Sequence, residues 1–297
     1  MAALFLAPWA IGFLVFTLGP LIASGYLSLT DYGLLSAPEF VGLSNYAKML
    51  TDDPRFVKSI GVTALYVFVS VPVTLVAAFL VAALVNDRQR SSGASGKASR
   101  SPLFGFYRAA FYLPSLIAAS VAVAILWVRL FAYDGIVNNL LAPLGLPRIA
   151  WIGQPGTAIW TIILLSVWSF GSTMVIFYAA LKQVPAERYE AASIDGAGML
   201  AKLWHITLPA ISPIILFNAV IVLVNALQSF TPAYIVSNGT GGPADSTLVF
   251  ALYLYEQAFR DLHMGYASAM AVLMLLALAG ITALIFASSK FWVHYED

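Results

Sequence analysis

Charged positions come along this chain in bursts. Between them lie six stretches without a single Asp, Glu, Lys or Arg: residues 1–30, 59–86, 109–128, 149–181, 203–244 and 262–289, of 30, 28, 20, 33, 42 and 28 residues. A helix needs about 20 predominantly apolar residues to cross the hydrocarbon core of a bilayer, so each stretch has room for one crossing. The 42-residue stretch is nearly long enough for two, but its second half, Ser237-Asn238-Gly239-Thr240-Gly241-Gly242-Pro243, is turn material. The pattern predicts six helices near 4–27, 61–85, 109–131, 157–180, 210–234 and 266–289, an all-α polytopic membrane protein whose 297 residues form a single membrane domain. The period-2 alternation of barrel strands is missing. The segments 31–58 and 235–263 mix aromatic and acidic residues and predict short amphipathic helices at the interface. The longest polar stretch, 86–102, contains Ser91-Ser92-Gly93-Ala94-Ser95-Gly96-Lys97 and predicts a flexible loop.

Composition agrees with this pattern. Hydrophobic residues make up 61% of the chain and charged residues 10%, against about 45–50% and about 25% in soluble domains, so there is too little polar surface to face water. A soluble enzyme and a disordered chain are both excluded, and the absence of any Lys/Arg block removes nucleic-acid binding. Zero cysteines remove disulfides, thiolate metal sites and thiol nucleophiles. The basic residues set orientation: 86–108, 182–209 and 290–297 hold nine Lys and Arg, while the opposite loops, with Arg129 at a helix end, hold six. The richer side is expected to be cytoplasmic, which puts both termini inside the cell membrane. Met1 leads directly into apolar sequence without a basic flank, and no cleavable signal peptide is recognisable.

Catalytic chemistry is missing from the pattern. His205, His263 and His294 are scattered over three segments, with no His-Glu-x-x-His pairing, and no Gly-x-Ser-x-Gly elbow occurs. Gly96-Lys97 resembles the end of a phosphate-binding loop, but Ser91 and Ala98 stand where that motif needs Gly and Ser or Thr. No metal, cofactor or catalytic site is expected. The centres of all six predicted spans lack ionisable residues, whereas proton-coupled carriers place them at membrane depth. Uphill transport would then need energy from another subunit. A sodium-coupled carrier built on backbone carbonyls stays open.

One segment carries more specific information. Val184-Pro185-Ala186-Glu187-Arg188-Tyr189-Glu190-Ala191-Ala192-Ser193-Ile194-Asp195-Gly196-Ala197-Gly198 continues to Ile206-Thr207-Leu208-Pro209, where the fifth span begins. Pro185 suits a helix first turn and Glu187 and Glu190 complement its positive end. Ala191, Ala192 and Gly196 leave a smooth face for close approach by another protein. This stretch resembles the EAA loop of permease subunits in binding-protein-dependent ABC importers: Glu-Ala-Ala, three residues, Gly, nine residues, Ile-x-Leu-Pro. Glu190-Ala191-Ala192, Gly196 and Ile206-x-Leu208-Pro209 meet every fixed position. Phe40-Val41-Gly42-Leu43-Ser44-Asn45-Tyr46, Gly135 with Asn138-Asn139-Leu140, and Gly241-Gly242-Pro243 with Thr247-Leu248 are similar to the sugar and glycerol-phosphate branch.

The resemblance implies the type I importer permease fold and a coupling loop at 182–209, with Glu190, Ala191, Ala192, Asp195 and Gly196 as its coupling residues. It implies two cytoplasmic ATPase subunits, which bind ATP and Mg²⁺, a second and usually non-identical permease, and an extracytoplasmic binding protein. This chain would then be a translocation subunit, not an enzyme. A Gly196→Trp replacement is expected to uncouple transport while the chain still inserts.

Alternating access needs a mid-membrane site of groups that bond hydroxyls. The fifth span offers Asn218, Asn225, Gln228 and Ser229 on one face, and the fourth offers Ser166, Trp168, Ser169, Ser172 and Thr173 along one stripe. Resemblance to maltose-type permeases puts sugar contacts near Ser169, Ser172, Asn225 and Ser229. Trp168 and Gln228 complete the substrate-pathway candidates. Small hydroxyl residues also serve helix packing in membranes, the first reading of Ser166 and Ser169, and Asn225 and Gln228 fit a pore or an interhelical bond equally. Trp127 and Trp160 read as interface anchors and Arg129 as a snorkelling cation. Asn238-Gly239-Thr240 reads as a turn rather than a glycosylation acceptor. A di- or oligosaccharide is the expected cargo, with glycerol 3-phosphate or another polyol phosphate as the alternative and an ion-coupled carrier as the remoter one. No cationic cluster lines the spans to hold a phosphate, which favours the neutral sugar.

Overall fold

The computed structural model describes residues 2–94, 102–117 and 121–294, and side chains from 6 onwards apart from 87–108. The phosphate-loop look-alike at Gly96, Lys97 and Ala98, and Arg100 of the basic count, lie outside the described residues.

Four helices are each long and apolar enough to span a bilayer: Leu6–Leu27, Pro54–Asn86, Ser212–Val236 and Met264–Ser289. Two helix pairs supply the others, Ala109–Ile117 with Val121–Leu130 and Pro155–Trp168 with Gly171–Gln183, the second bent by 41°. Counting each pair as one crossing gives six. The predicted polar loop after the second span is shorter than expected, because that helix runs unbroken from Pro54 to Ala94 and takes in Ser91-Ser92-Gly93-Ala94. Helix-forming Arg88, Gln89 and Arg90 continue the backbone ladder past the apolar stretch.

The fourth span is broken. Its first helix ends at Trp168, where the Ser169 hydroxyl donates to the Ser166 carbonyl at 2.6 Å, and Gly171 opens the second. A Cβ on Gly171 would lie 2.3 Å from the Phe111 carbonyl oxygen, so only glycine lets the third span's backbone come this close. The fifth span is broken too, with Ser212–Leu227 and Thr231–Val236 meeting at 228–230. The serines of the fourth span and the polar residues of the fifth therefore do not lie along two straight stripes. The breaks re-aim them.

Two buried clusters hold the bundle. One joins Tyr66 of the second span with Ile162 of the fourth, Ala233 of the fifth and Met270 of the sixth. The other joins Ala78 and Ala82 of the second span with Met174 and Phe177 of the fourth. Trp127 is 8% exposed, donates its indole N–H to the Thr161 carbonyl at 2.8 Å, and packs on Phe131 and Trp168. It is a packing residue and not the interface anchor expected. Trp160 is half exposed. By contrast, the first span buries none of its membrane-length window within the chain, and an apolar groove of about 660 Å³ lies open among the second, fifth and sixth spans.

At one end the connecting segments fold on themselves. Thr30–Asp31 pairs antiparallel with Glu39–Phe40, and short helices form at Ser44–Thr51 and Phe250–Tyr255, in the two segments expected to be amphipathic. Asn45 donates to the Ser28 and Thr30 carbonyls at 2.9 Å each, and the Tyr46 hydroxyl donates to Ser28 Oγ at 2.9 Å. Asn138 is fully buried; its amide donates to the Tyr133 and Ile149 carbonyls and accepts from Trp151 Nε1. The Asn45-Tyr46 and Asn138 motifs thus owe their residue types to folding these loops. Asn238 and Gly239, at φ 51° and 72°, form the turn expected of them.

Candidate translocation cavity and coupling surface

Half-way along the bundle, the breaks in the fourth and fifth spans open a cavity of about 400 Å³. Ser166, Ser169, Ser172 and Thr173 line it from the fourth span, and Asn225 and Ser229 from the fifth. Four of the six substrate-pathway candidates, Ser169, Ser172, Asn225 and Ser229, are therefore brought together. Trp168 and Gln228 are not. Trp168 turns onto Trp127, with ring centroids 5.8 Å apart, and Gln228 caps the helix end at Leu227 and is exposed away from the cavity. Asn218 does not line it either: it is 1% exposed, and neither amide atom has a partner among the described residues.

Residues that sequence reasoning missed complete the wall: Tyr66 and Thr74 from the second span and Ser115 from the third. The signal was present. Thr63, Tyr66, Ser70 and Thr74 recur at spacings of three and four along an otherwise apolar helix, one polar stripe. Thr74 Oγ1 is buried and has no hydrogen-bond partner among the described residues. A buried hydroxyl without a partner costs about 1–3 kcal/mol, so a hydroxylated ligand at this wall would relieve it. Among the described residues the lining has no charged side chain. A neutral molecule with many hydroxyls can be held here, and a phosphate finds no counter-charge.

At one end of the bundle the segment 186–210 forms a separate surface. Helix Ala186–Ile194 follows Pro185, with Glu187 in its first turn, and buries no residue. Glu190, Ala191, Asp195 and Gly196 are exposed and Ala192 partly so. Gly196 closes the helix. At φ 77° it donates its N–H to the Ser193 carbonyl at 3.1 Å, while Ala197 N–H reaches the Ala192 carbonyl at 2.8 Å, a Schellman end. A Cβ there would meet nothing within 4 Å in this chain, so within the chain it is the turn that calls for glycine. Tyr189 Oη and Thr207 Oγ1 lie 3.0 Å apart and Lys202 Nζ donates to Ser193 Oγ at 2.6 Å, fixing the helix to the root of the fifth span. Around it Ile194, Met199, Leu200 and Trp204 are 87%, 85%, 71% and 65% exposed. The histidines prove less scattered than expected, for His205 and His294 line one pocket with Arg188 and Asp195 beside this helix.

The opposite end is closed by charge. Arg55, just inside the second span, pairs with Asp245 and Glu256 at 3.0 Å each. Gly241 holds the turn that places Asp245, since a Cβ there would lie 2.5 Å from Leu248 Cδ1. Asp53 accepts from the hydroxyls of Tyr253 (2.6 Å) and Tyr266 and from the Phe56 N–H (3.0 Å). Burial pushes the Asp53 carboxyl up, but the hydrogen bonds from Tyr253, Tyr266 and Phe56 outweigh it and hold it below the usual carboxylate range. Burial also drives Glu256 above its ordinary value, against the pull of Arg55.

Taken together, a bundle with a polar mid-membrane cavity and an unburied cross-helix at one end defines a membrane permease. Residues 51–294 match the family described as binding-protein-dependent transport system inner membrane component, and the chain belongs to it. It is an integral membrane protein, the permease subunit of an ABC importer that works with a binding protein. The chain is 47% identical, over 99% of its length and 91% of the relative's, to the probable ABC transporter permease protein YesP of Bacillus subtilis (strain 168). It is 33% identical to the lactose transport system permease protein LacF of Rhizobium radiobacter, over 97% of this chain and 93% of that one. The fold matches a chain of a bacterial alginate ABC transporter, solved in complex with an alginate pentasaccharide-bound periplasmic protein, with a TM-score of 0.77 at 20% identity, covering 97% and 93% of the two chains.

Proposed function

We propose that this permease carries a neutral di- or oligosaccharide across the cell membrane, taking it from an extracytoplasmic binding protein. The uncharged, hydroxyl-lined cavity at mid-membrane carries this reading. Relatives named for lactose and for arabinooligosaccharides support it. A relative named for sn-glycerol 3-phosphate keeps the polyol-phosphate alternative in view, but among the described residues the cavity offers no cation to such a substrate. Ser169, Ser172, Asn225, Ser229 and Thr74 hold the sugar by its hydroxyls.

The helix 186–194 lies in the cytoplasm, as do both termini, and is gripped by an ATPase subunit. Its exposed Ile194, Met199, Leu200 and Trp204 support that reading, since apolar patches of this kind mark interaction sites. Each of two such subunits binds the ATP and Mg²⁺; this chain binds neither. A second permease covers the unburied first span and the open apolar groove. Closure of the ATPase pair moves helix 186–194, and Tyr189 and Thr207 pass the movement to the fifth span, which carries Asn225 and Ser229.

The test is uptake by the complete transporter in proteoliposomes with its binding protein. Labelled neutral oligosaccharides are expected to accumulate only with internal ATP, and Asn225→Leu with Ser229→Val to cut uptake more than tenfold while binding-protein-stimulated ATP hydrolysis persists. Accumulation driven by an ion gradient without ATP, or preference for a phosphate ester, would overturn the proposal.

A further inference from the structure

The fifth span holds a polar side chain that the cavity leaves unused. Asn218 is 1% exposed, and neither its amide nitrogen nor its amide oxygen has a partner among the described residues. It stands in the uninterrupted helix Ser212–Leu227 together with Asn225. Seven residues are close to two whole turns, so the two amides leave the same side of the helix, about 10 Å apart along its axis. Asn225 lines the cavity, and so does Val222, one turn from Asn218. About one turn the other way, Ile214 and Ile215 pack against the buried cluster of Ala78, Met174 and Phe177, which reaches Val184 and Ile211 beside the 186–210 surface. Asn218 therefore lies where the polar cavity gives way to the apolar seal between it and that surface.

Hydroxyls in these spans can satisfy themselves within their own helix: Thr63, Thr161 and Ser169 each donate to a carbonyl three or four residues back. The Asn218 amide, with two donor hydrogens and an acceptor oxygen, makes no bond of this kind. A buried amide that bonds nothing is costly, and a leucine would fill the place without that cost. The polar group gains a use only in an arrangement that uncovers it. Alternating access supplies one, since the cavity must open in turn towards each side of the membrane. Parting of the seal at Met174 and Phe177 extends the cavity along the same helix face, and the first polar group it reaches there is Asn218.

We infer that Asn218 is an inner binding step of the transport path, whose amide takes over hydroxyls of the carbohydrate from Asn225 once the seal of Ala78, Met174 and Phe177 parts. This rests on the carbohydrate reading above and adds to it the way out, along the inner half of the fifth span. The unpartnered amide also disfavours the sealed arrangement relative to the open one, which eases opening.

Two measurements on the complete transporter with its binding protein test this, using lactose, arabinooligosaccharides and diacetylchitobiose as the probe mixture. Asn218→Leu is expected to unfold in detergent at the parent's temperature or above it, while uptake of the labelled mixture into proteoliposomes falls severalfold at saturating binding protein. Unchanged uptake overturns the inner step. A lower unfolding temperature overturns it too, because the amide would then be holding the sealed bundle together. The sequence contains no cysteine, so Asn218→Cys and Asn225→Cys report cleanly in a transporter whose other subunits are cysteine-free. In nanodiscs, where a small charged thiol reagent reaches both faces, Asn218→Cys is expected to react severalfold faster in one of two states, nucleotide-free or vanadate-trapped, than in the other. The sugar mixture should slow that faster reaction. Equal rates in both states overturn the inner step. Protection of Asn225→Cys without protection of Asn218→Cys overturns it and leaves the carbohydrate reading standing, whereas protection of neither overturns both.

Discussion

The two ends of the bundle solve opposite problems. At the end carrying residues 30–53 and 241–266, polar groups find partners inside the chain: Arg55 has Asp245 and Glu256, and Asp53 has two tyrosine hydroxyls and a backbone N–H. At the end carrying 186–210, helix Ala186–Ile194 buries nothing, and Ile194, Met199, Leu200 and Trp204 lie in the open. The first end is complete within this chain. The second leaves apolar surface that this chain does not cover. On the reading proposed above, the second end is a handle for a motor made of other chains.

Steric tests at the closed end are expected to have the largest effect. A Cβ on Gly265 would fall 2.1 Å from the Thr30 carbonyl, so Gly265→Leu must push the first connecting segment off the sixth span. Loss of the folded complex, or a cost of about 3 kcal/mol or more read as a lower unfolding temperature in detergent, is expected. A Gly265→Leu protein as stable as the parent would show that this end is not closed as described.

Met199→Asp with Trp204→Asp sharpens the contrast from the open end. Both side chains are exposed, so stability should stay within about 0.5 kcal/mol. Co-purification of the ATPase subunits should nevertheless be lost and transport should fall more than tenfold. Retained ATPase with full transport would remove the handle reading.

Asp53→Asn comes next. The amide accepts the tyrosine protons more weakly than the carboxylate, for a cost of about 1–2 kcal/mol. The Asp53 pKa is held below its unfolded value, so its contribution is present above that value and is lost as pH falls through the lowered one. Glu256, raised by burial, has the opposite sign. Asp53→Asn should therefore flatten the loss of stability on acidification towards about pH 4. An unchanged acid limb in the variant would show that this carboxylate is not part of the closure.

Gly196→Ala is the mildest change. Space is open around it, but at φ 77° an L-residue costs about 1 kcal/mol, felt only in the end of the cross-helix. Insertion should be unaffected and ATP-coupled uptake reduced a few-fold, whereas Gly196→Asn, which tolerates this conformation, should retain more. An alanine variant slower than a tryptophan variant would contradict the turn-based account.

The crossings were legible because the bilayer is a demanding solvent. It expels charge over the whole length of a span, and each of the six charge-free stretches marks a crossing or a bent pair of helices. The helix Ala186–Ile194 was legible because helix-terminating chemistry is local: Pro185, Glu187 and Gly196 act within one turn of where they stand. Trp168 and Gln228 went astray for a different reason. A straight helix puts Ser169, Trp168 and Ser172 near one another, and only the 41° bend at 169–170 decides which of them face inward. That bend depends on a close approach between Gly171 and Phe111, sixty residues apart in the chain.

Sequence alone therefore determined the solvent of this protein, the number of its crossings and the short helix at 186–194, since these follow from hydration and from short-range backbone geometry. Only the tertiary structure decided that Tyr66, Thr74 and Ser115 share a cavity with Asn225 and Ser229, that Arg55 closes the far end on Asp245 and Glu256, and that His205 and His294 line one pocket. These are distances between groups far apart along the chain. They depend on how broken helices lean together, which no local pattern of residues encodes.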